Sequence, residues 1–314
     1  MIRLFQKGQN FVSKSSTLPG ENLSNLIWVD LLTPEVNEIE EVEKTFDINV
    51  PSRLQLEEIE SSSRYTETDN YIVANSNFMQ SVSESNFNNI HVSFLIKGDL
   101  LVTYREGQLS SFAECVKKIK ANNRLFVNGR IILIVLFETR IDFDADLIES
   151  LSRQISGIGK QLTANNGTHA EILKQITAYQ ETTMQVRENI IDKQRVISSL
   201  LKSGEFAEEE KERLRIMLKD INSLVDHANF LFERLEYLQN TFLGLVNIDQ
   251  NKIIKIFTVV SVVFMPPTLI ASIYGMNFRV LPELNWRLGY LFAILFMVSS
   301  SLVTLFIFKR KKWL

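Results

Sequence analysis

The sequence contains one cysteine, Cys115, and only three histidines, which lie far apart in the chain. A single cysteine excludes an intrachain disulfide, and without clustered cysteines or histidines none of the usual zinc-ligand spacings occurs. Glycine-rich phosphate loops, nucleophile elbows and paired catalytic motifs are also missing from the chain. The sequence therefore predicts a protein that is not an enzyme and that carries no cofactor.

Charge is absent from two long stretches near the C-terminus. No Asp, Glu, Lys or Arg occurs in residues 256–274 or in residues 288–308. Each stretch is close to the ~20 residues that cross a hydrocarbon core about 30 Å thick. The sequence therefore predicts two transmembrane helices, 256–274 and 288–308, joined by an external loop over 275–287. Two buried core helices are the alternative, but core helices seldom run so long without a charge.

Basic residues flank the two predicted spans on the side of the chain termini. Lys252 and Lys255 precede the first span, and a basic tail over residues 309–314 follows the second. By the positive-inside rule, these residues place both termini in the cytoplasm, although Arg279 and Arg287 in the loop argue weakly the other way. The start of the chain lacks the pattern of a cleavable signal. We therefore expect a multi-pass protein of the inner (plasma) membrane, in contact with lipid, whose large N-terminal part is cytoplasmic.

The part of the chain before the spans changes character near residue 140. Residues 1–140 interleave short β-type runs with helical patterns, which predicts a cytoplasmic α/β domain. From there to Asn251 the chain has no proline and is rich in strong helix formers. Breaks at Asn165-Asn166-Gly167 and at Ser203-Gly204 divide this region into an antiparallel helix pair over 141–204 and a stalk helix over 205–255.

Apolar residues recur every seven positions along the predicted stalk helix. One series is Leu214, Ile221, Ala228, Leu235 and Phe242, and the other is Met217, Leu224, Leu231, Leu238 and Leu245. Such a heptad seam predicts partner helices in a left-handed supercoil, and no second segment shares the pattern. Other copies of the chain are therefore the expected partners, and packing of the helix on its own domain is the alternative. No helix breaker separates the seam from the first span, so one continuous helix is predicted.

A stripe of small polar residues runs along the first predicted span. Its members recur at alternating steps of three and four, which places them on one helix face: Thr258, Ser261, Met265, Thr268 and Ser272. Such a stripe hydrogen-bonds its own backbone, packs against a neighbouring helix, or lines a wet pathway. A symmetric bundle of copies would turn this face toward the axis, which favours the pathway.

Gly275-Met276-Asn277 directly follows the first of the two spans. This triplet in this position is the signature of the CorA family of magnesium and cobalt transporters, and the sequence resembles the proteobacterial transport branch of that family. The match is strong over residues 247–314, including Pro266-Pro267-Thr268 and the Lys-Arg-Lys-Lys-Trp-Leu ending. In the N-terminal part of the chain the match is weaker and is confined to residues 28–31, 57–60 and 136–140.

The resemblance implies a homopentamer shaped like a funnel, with the first span of each copy around a central pore and the second span outside it. Gly275, Met276 and Asn277 would form the selective pore mouth, and Phe257 and Met265 would form apolar gates that close by dewetting. The implied pore-lining residues are Asn251, Phe257, Thr258, Ser261, Met265, Thr268 and Ser272.

The implied function is entry of magnesium, with cobalt or nickel as further ions, controlled by intracellular magnesium. Glu283 would supply negative charge near the mouth, whereas Arg279 stands where the family often has an acidic residue. Glu84, Asp220 and Asp226 are candidates for a regulatory metal site, with a solvated acidic face as the alternative. A zinc or other divalent cation transporter of the same architecture is the alternative function. A membrane-anchored scaffold is a third, and no nucleic-acid partner is indicated.

Overall fold

The computed structural model describes residues 1–7, 12–15, 25–52, 55, 64–83, 86–164, 168–277 and 286–311. The chain divides into two compact units, Met1–Gln239 and Asn240–Leu314. Three of the residues singled out in the sequence, Glu84, Arg279 and Glu283, lie outside the described ranges. So do residues 57–60.

A mixed sheet forms the centre of the first unit. Its strands are β1 (Ile2–Gln6), β2 (Val12–Ser15), β3 (Leu26–Leu32), β4 (Tyr65–Glu67), β5 (Ile72–Ser83), β6 (Asn86–Lys97) and β7 (Leu100–Arg105). Across the described strands the order is β2-β1-β3-β7-β6-β5-β4. The β3–β7 pair is parallel and the other pairs are antiparallel. The predicted α/β domain is confirmed.

Helices cover both faces of this sheet. Two of them, α1 (Val36–Phe46) and α2 (Ser110–Ala121), lie within the region predicted as α/β, together with a 3₁₀ turn over Asn123–Leu125. Val42 of α1 packs with Val29 and Leu31 of β3, and Phe112 of α2 approaches Trp28 on the opposite face. Burial on both sides explains why every residue of β3 is buried.

A buried ion pair lies in the middle of this sheet. The Arg105 guanidinium donates to both carboxylate oxygens of Asp30, at 3.0 and 2.7 Å. Thr103 also donates to Asp30 at 3.0 Å, and it accepts a hydrogen bond from the Trp28 indole. Charges are buried this deeply only when such partners satisfy them. This network gives residues 28–31, one of the stretches that resembles the family, a structural role.

Four long helices follow the sheet. They are α3 (Gly129–Ala164), α4 (His169–Lys202), α5 (Glu208–Tyr274) and α6 (Gly289–Arg310). The domain boundary predicted after residue 140 therefore falls inside α3, because the apolar start of that helix packs against the sheet. Helix α5 begins at Glu208 instead of residue 205 and is unbroken over 67 residues. The predicted continuity of the stalk with the first span is confirmed.

The heptad seam of α5 packs on its own domain and not against other copies. Leu214, Ile221 and Leu235 are fully buried within the single chain. Arg213 of α5 donates to Glu138 of α3 at 2.6 Å, and other contacts join α5 to α4. The expectation that this seam is the interface between copies is wrong for its part in the first unit, because most seam residues from Leu214 to Leu238 are already buried within the single chain.

A second buried network joins the helices to the sheet. Asp192 of α4 pairs with Arg64 at 2.9 Å and accepts hydrogen bonds from Ser76 and Asn77 of β5. The neighbouring Lys193 ammonium lies 3.1 Å from the Asp144 carboxylate of α3. Burial lowers the pKa of Lys193 to about 8, and Asp144 limits this shift.

Candidate pore helix and its mouth

Within the second unit, α6 packs against one face of the C-terminal part of α5. Val262, Val263 and Ile270 are sheltered on this face. The polar stripe is on the other side, since all five of its members are exposed: Thr258, Ser261, Met265, Thr268 and Ser272. Packing against the second helix of the same chain therefore does not explain the stripe. Its face is left for lipid, for water or for other copies.

Two hydroxyls of the stripe bond to the backbone of their own helix. Thr258 donates to the carbonyl of Ile254 at 2.8 Å, and Thr268 donates to the carbonyl of Phe264 at 2.7 Å. This pattern satisfies the hydroxyl protons inside an apolar helix. The lone pairs of the hydroxyl oxygens remain free to accept hydrogen bonds from outside the helix.

The two predicted gate residues are also exposed in the single chain. Phe257 and Met265 have exposed fractions of 68% and 65%, and Asn251 is likewise exposed. Both α5 and α6 contain segments long and apolar enough to cross a membrane, and these segments are almost entirely unburied within the chain. An apolar surface of this extent requires lipid or further protein around it.

The Gly-Met-Asn triplet forms the turn that ends α5. The amide of Gly275 donates to the carbonyls of Ala271 and Ser272, and Met276 donates to Ile273 at 3.3 Å. Asn277 is the last residue of the triplet and is exposed. The structure therefore brings Asn277 to the end of the helix that carries the polar stripe, beyond Ser272.

Two adjacent prolines interrupt the hydrogen bonding of α5 without ending the helix. Pro266 and Pro267 have no amide hydrogen, so the carbonyls four residues earlier, on Val262 and Val263, lose their helical donors. The hydroxyl of Ser301 on α6 donates to the Val263 carbonyl at 3.4 Å. Apolar surroundings leave no water to replace such a donor. No sequence pattern distinguishes Ser301 from Ser299 and Ser300, although a serine on a second span is a suitable donor for a carbonyl left free by proline.

Ser301→Ala is expected to lower the free energy of unfolding by about 1 kcal/mol, the usual size of a side-chain hydrogen bond within a membrane. The measurement is the unfolding midpoint in detergent, by circular dichroism. Ser299→Ala is the matched control, because Ser299 lies two residues away on an exposed face of the same helix. Equal midpoints for the two variants would show that the Val263 carbonyl does not depend on Ser301.

An acidic patch lies where α3 and α5 meet in the first unit. Burial raises the pKa of Asp142, and repulsion from Glu138, Asp146 and Asp220 raises it further. Asp220 and Asp226 are both exposed. Among the described residues, no group of three or more His, Cys, Asp or Glu side chains is arranged to hold a metal ion. The structure thus brings Asp220 close to the Asp142 carboxylate.

An exposed apolar face of α5 was missed in the sequence because the buried seam has the more regular pattern. Phe230 and Tyr237 have exposed fractions of 59% and 67%. Continued in steps of seven, their series passes through Gly244 and then through four of the predicted pore residues: Asn251, Thr258, Met265 and Ser272. The exposed apolar residues and the polar stripe therefore share one seven-residue series in the sequence.

Comparison with known proteins places these features in a family. Residues 24–310 match the family model described as CorA-like Mg2+ transporter protein. The chain is 40% identical to the magnesium transport protein CorA of Wolinella succinogenes and 35% identical to that of Escherichia coli strain K12, with full coverage of both. The solved CorA magnesium transporter of Methanocaldococcus jannaschii superposes with a TM-score of 0.83 at 22% identity, covering 100% of this chain and 99% of that one. The chain therefore belongs to the CorA-like Mg2+ transporter family.

Proposed function

We propose that this protein is a channel for the entry of magnesium, formed by five copies whose α5 helices surround one pore. The observation that carries the proposal is the direction of the polar stripe, which is turned away from α6 and ends at Asn277. The exposed face at Phe230 and Tyr237 supports contact between copies in the same heptad series. The full-length similarity to magnesium transport proteins supports the choice of ion.

The proposed mouth suits a hydrated magnesium ion. Magnesium requires octahedral oxygen coordination and releases its water slowly, so a ring of neutral amide oxygens from Asn277 recognises the ion through its water shell. Ser272 and Thr268 offer further oxygens below the mouth. Cobalt and nickel ions are further candidate cargo. Membrane potential supplies about 2.3 kcal/mol per charge per 100 mV, so entry of a divalent ion needs no nucleotide.

The proposed topology has both chain termini in the cytoplasm and the Asn277 end of α5 outside, in the inner membrane. Lys252, Lys255, Lys309 and Arg310 support it, because these basic residues flank the apolar segments on one side.

The direct test is ion flux in liposomes that contain the purified protein and an internal magnesium dye. An inside-negative potential set with a potassium ionophore should drive magnesium entry, and zinc should enter more slowly. Assembled protein that passes no magnesium under this potential would overturn the proposal. Faster entry of zinc than of magnesium would favour the zinc alternative.

Met265→Ala and Phe257→Ala are each expected to raise the resting magnesium leak severalfold. Removal of a large apolar side chain from a narrow ring allows water, and therefore ions, to persist there. Ile256→Ala is the matched control, since Ile256 is an exposed large apolar residue of the same helix that lies in heptad register with Val263 and Ile270, on the face turned toward α6. Liposome flux at zero potential is the measurement. Equal leak in all three variants would locate the gate elsewhere.

Intracellular magnesium is proposed to close the channel by binding carboxylates that α5 contributes between copies. The measured quantity is the internal magnesium concentration at which the flux falls to half. Asp220→Asn is expected to raise this concentration about fivefold, a typical size for allosteric coupling. The reason is that the Asp220 carboxylate repels that of Asp142, where Lys118 is the opposing charge, so loss of one carboxylate should weaken the binding of a divalent cation. Asp226→Asn should have a smaller effect, and Glu236→Gln, an exposed change on the same helix, should have none. Flux that ignores internal magnesium in the unmodified protein would contradict this regulation.

A further inference from the structure

A crevice lies between the end of α5 and the start of α6, wholly within the second unit. Its volume is about 460 Å³. Small residues make the space, because Ala271 and Gly275 on α5 and Gly289 and Ala293 on α6 leave no large side chain between the two helices. None of the five stripe residues lines the crevice, although Gly275 of the Gly-Met-Asn turn does.

The chemistry of the crevice changes along its length. The end near the loop is lined by Tyr274, Trp286, Arg287 and Tyr290, which together supply a guanidinium, an indole N–H and two phenol groups. The deeper end is apolar and reaches Met297. Tyr290 and Met297 are separated by seven residues of helix, or about 10 Å at 1.5 Å per residue. A polar rim above an apolar floor of this depth matches a lipid headgroup above the first part of its acyl chain.

Arg287 gives the rim its charge. Its side chain is exposed. The neighbouring Trp286 ring packs edge-on against Phe292 of α6, with ring centroids 6.2 Å apart, which holds the rim in place. Guanidinium groups bind phosphate with two parallel hydrogen bonds. An arginine on the outer side also runs against the usual distribution of basic residues, and an anionic ligand would account for it.

We propose that this crevice binds one anionic phospholipid, with its phosphate at Arg287 and Tyr290 and one acyl chain along Ala293 and Met297. The assignment to the outer leaflet rests on the proposed topology, whereas the binding itself does not. A free phosphate ion would share only the rim contacts. A helix from another copy would fill the floor without needing the charge.

The test is native mass spectrometry of the full chain, purified in detergent and titrated separately with phosphatidylglycerol, phosphatidylethanolamine and inorganic phosphate. The unmodified protein should retain one phosphatidylglycerol per chain. Arg287→Gln should weaken this binding about tenfold, as expected for loss of one charge-assisted contact. Ala271→Leu, which narrows the floor, should weaken it as well. Arg310→Gln is the matched control, because it removes one positive charge at the opposite end of α6 and should leave binding unchanged.

Three results would overturn the inference. Equal loss in the Arg287→Gln and Arg310→Gln variants would indicate general charge attraction. Inorganic phosphate that displaces the lipid at similar concentration would indicate a phosphate site alone. If the unmodified protein retains no lipid, the crevice is not a lipid site, and a helix from a neighbouring copy becomes the better explanation of it. Flux measured on the same samples separates this inference from the proposed function, since lipid binding without flux contradicts the channel and flux without lipid binding contradicts only the crevice assignment.

Discussion

Asn277→Ala is expected to reduce magnesium flux to the level of protein-free liposomes while the oligomer stays intact. The alanine side chain offers no oxygen to accept hydrogen bonds from the water shell of the ion, so the mouth loses its only proposed recognition group. Asn277 is exposed after the turn that ends α5, and the described residues give it no role in packing. The measurement combines liposome flux with native mass spectrometry of the same sample.

Two further substitutions at this position sharpen the test. Asn277→Gln keeps the amide on a longer side chain and should retain part of the flux. Asn277→Asp places a ring of negative charge at the mouth and should change the preference among divalent ions. Selective magnesium flux through an assembled Asn277→Ala protein would show that the triplet only terminates the helix.

The structure bears on that alternative through Gly275. A glycine that merely ends a helix often adopts the left-handed conformation. Among the described residues the one glycine with positive φ is Gly98, so Gly275 does not terminate α5 in this way. A Cβ atom at Gly275 would lie 3.2 Å from the Ala271 carbonyl oxygen, which gives a steric reason for glycine at this position.

The membrane helices could be predicted from the sequence because their signals are local. Residues 256–274 and 288–308 carry no charge, and nothing in the sequence before Pro266 breaks the helix that leads into the first of them. The Pro266-Pro267 pair alone would have suggested an end to the helix. Contacts within an apolar segment override that preference, and one of them is the Ser301 hydroxyl.

The partners of individual residues could not be predicted, because they come from distant parts of the chain. Asp30 and Arg105 are separated by 75 residues, so the sequence does not show that they pair with each other. Lys193 is fully buried, although lysine is usually a surface residue. Such residues lie inside only because the fold supplies partners such as Asp144, and a single sequence does not reveal those partners.

The heptad seam shows the same limit for α5. A seam with apolar a and d positions predicts that partner helices exist, but packing against helices of the same chain and packing against other copies leave the same pattern. The structure decides between them at Leu235, which is fully buried within one chain. The exposed face at Phe230 and Tyr237 remains for other copies. These two faces can be separated by experiment.

The double variant Phe230→Asp with Tyr237→Asp is expected to dissociate the oligomer completely, and with it to abolish flux, while each protomer stays folded. Both side chains are exposed in the single chain, so the substitutions should destabilise the protomer far less than a charge placed on the buried seam. In the assembly the same carboxylates would meet copies of themselves across a symmetric interface, where like charges repel. Native mass spectrometry measures the assembly, and thermal unfolding measures the protomer.

Leu235→Asp is the matched variant, because it introduces the same carboxylate on the same helix but on the buried seam. It should destabilise the protomer by about 4 kcal/mol, since an unpaired charge would be buried among apolar side chains. The two variants should therefore change different measurements. Phe230→Asp with Tyr237→Asp should change the oligomeric state, whereas Leu235→Asp should lower the unfolding midpoint. Full assembly of the Phe230→Asp, Tyr237→Asp protein would show that this face is not the interface. If the Leu235→Asp protein dissociates while its unfolding midpoint is unchanged, the seam is the interface between copies.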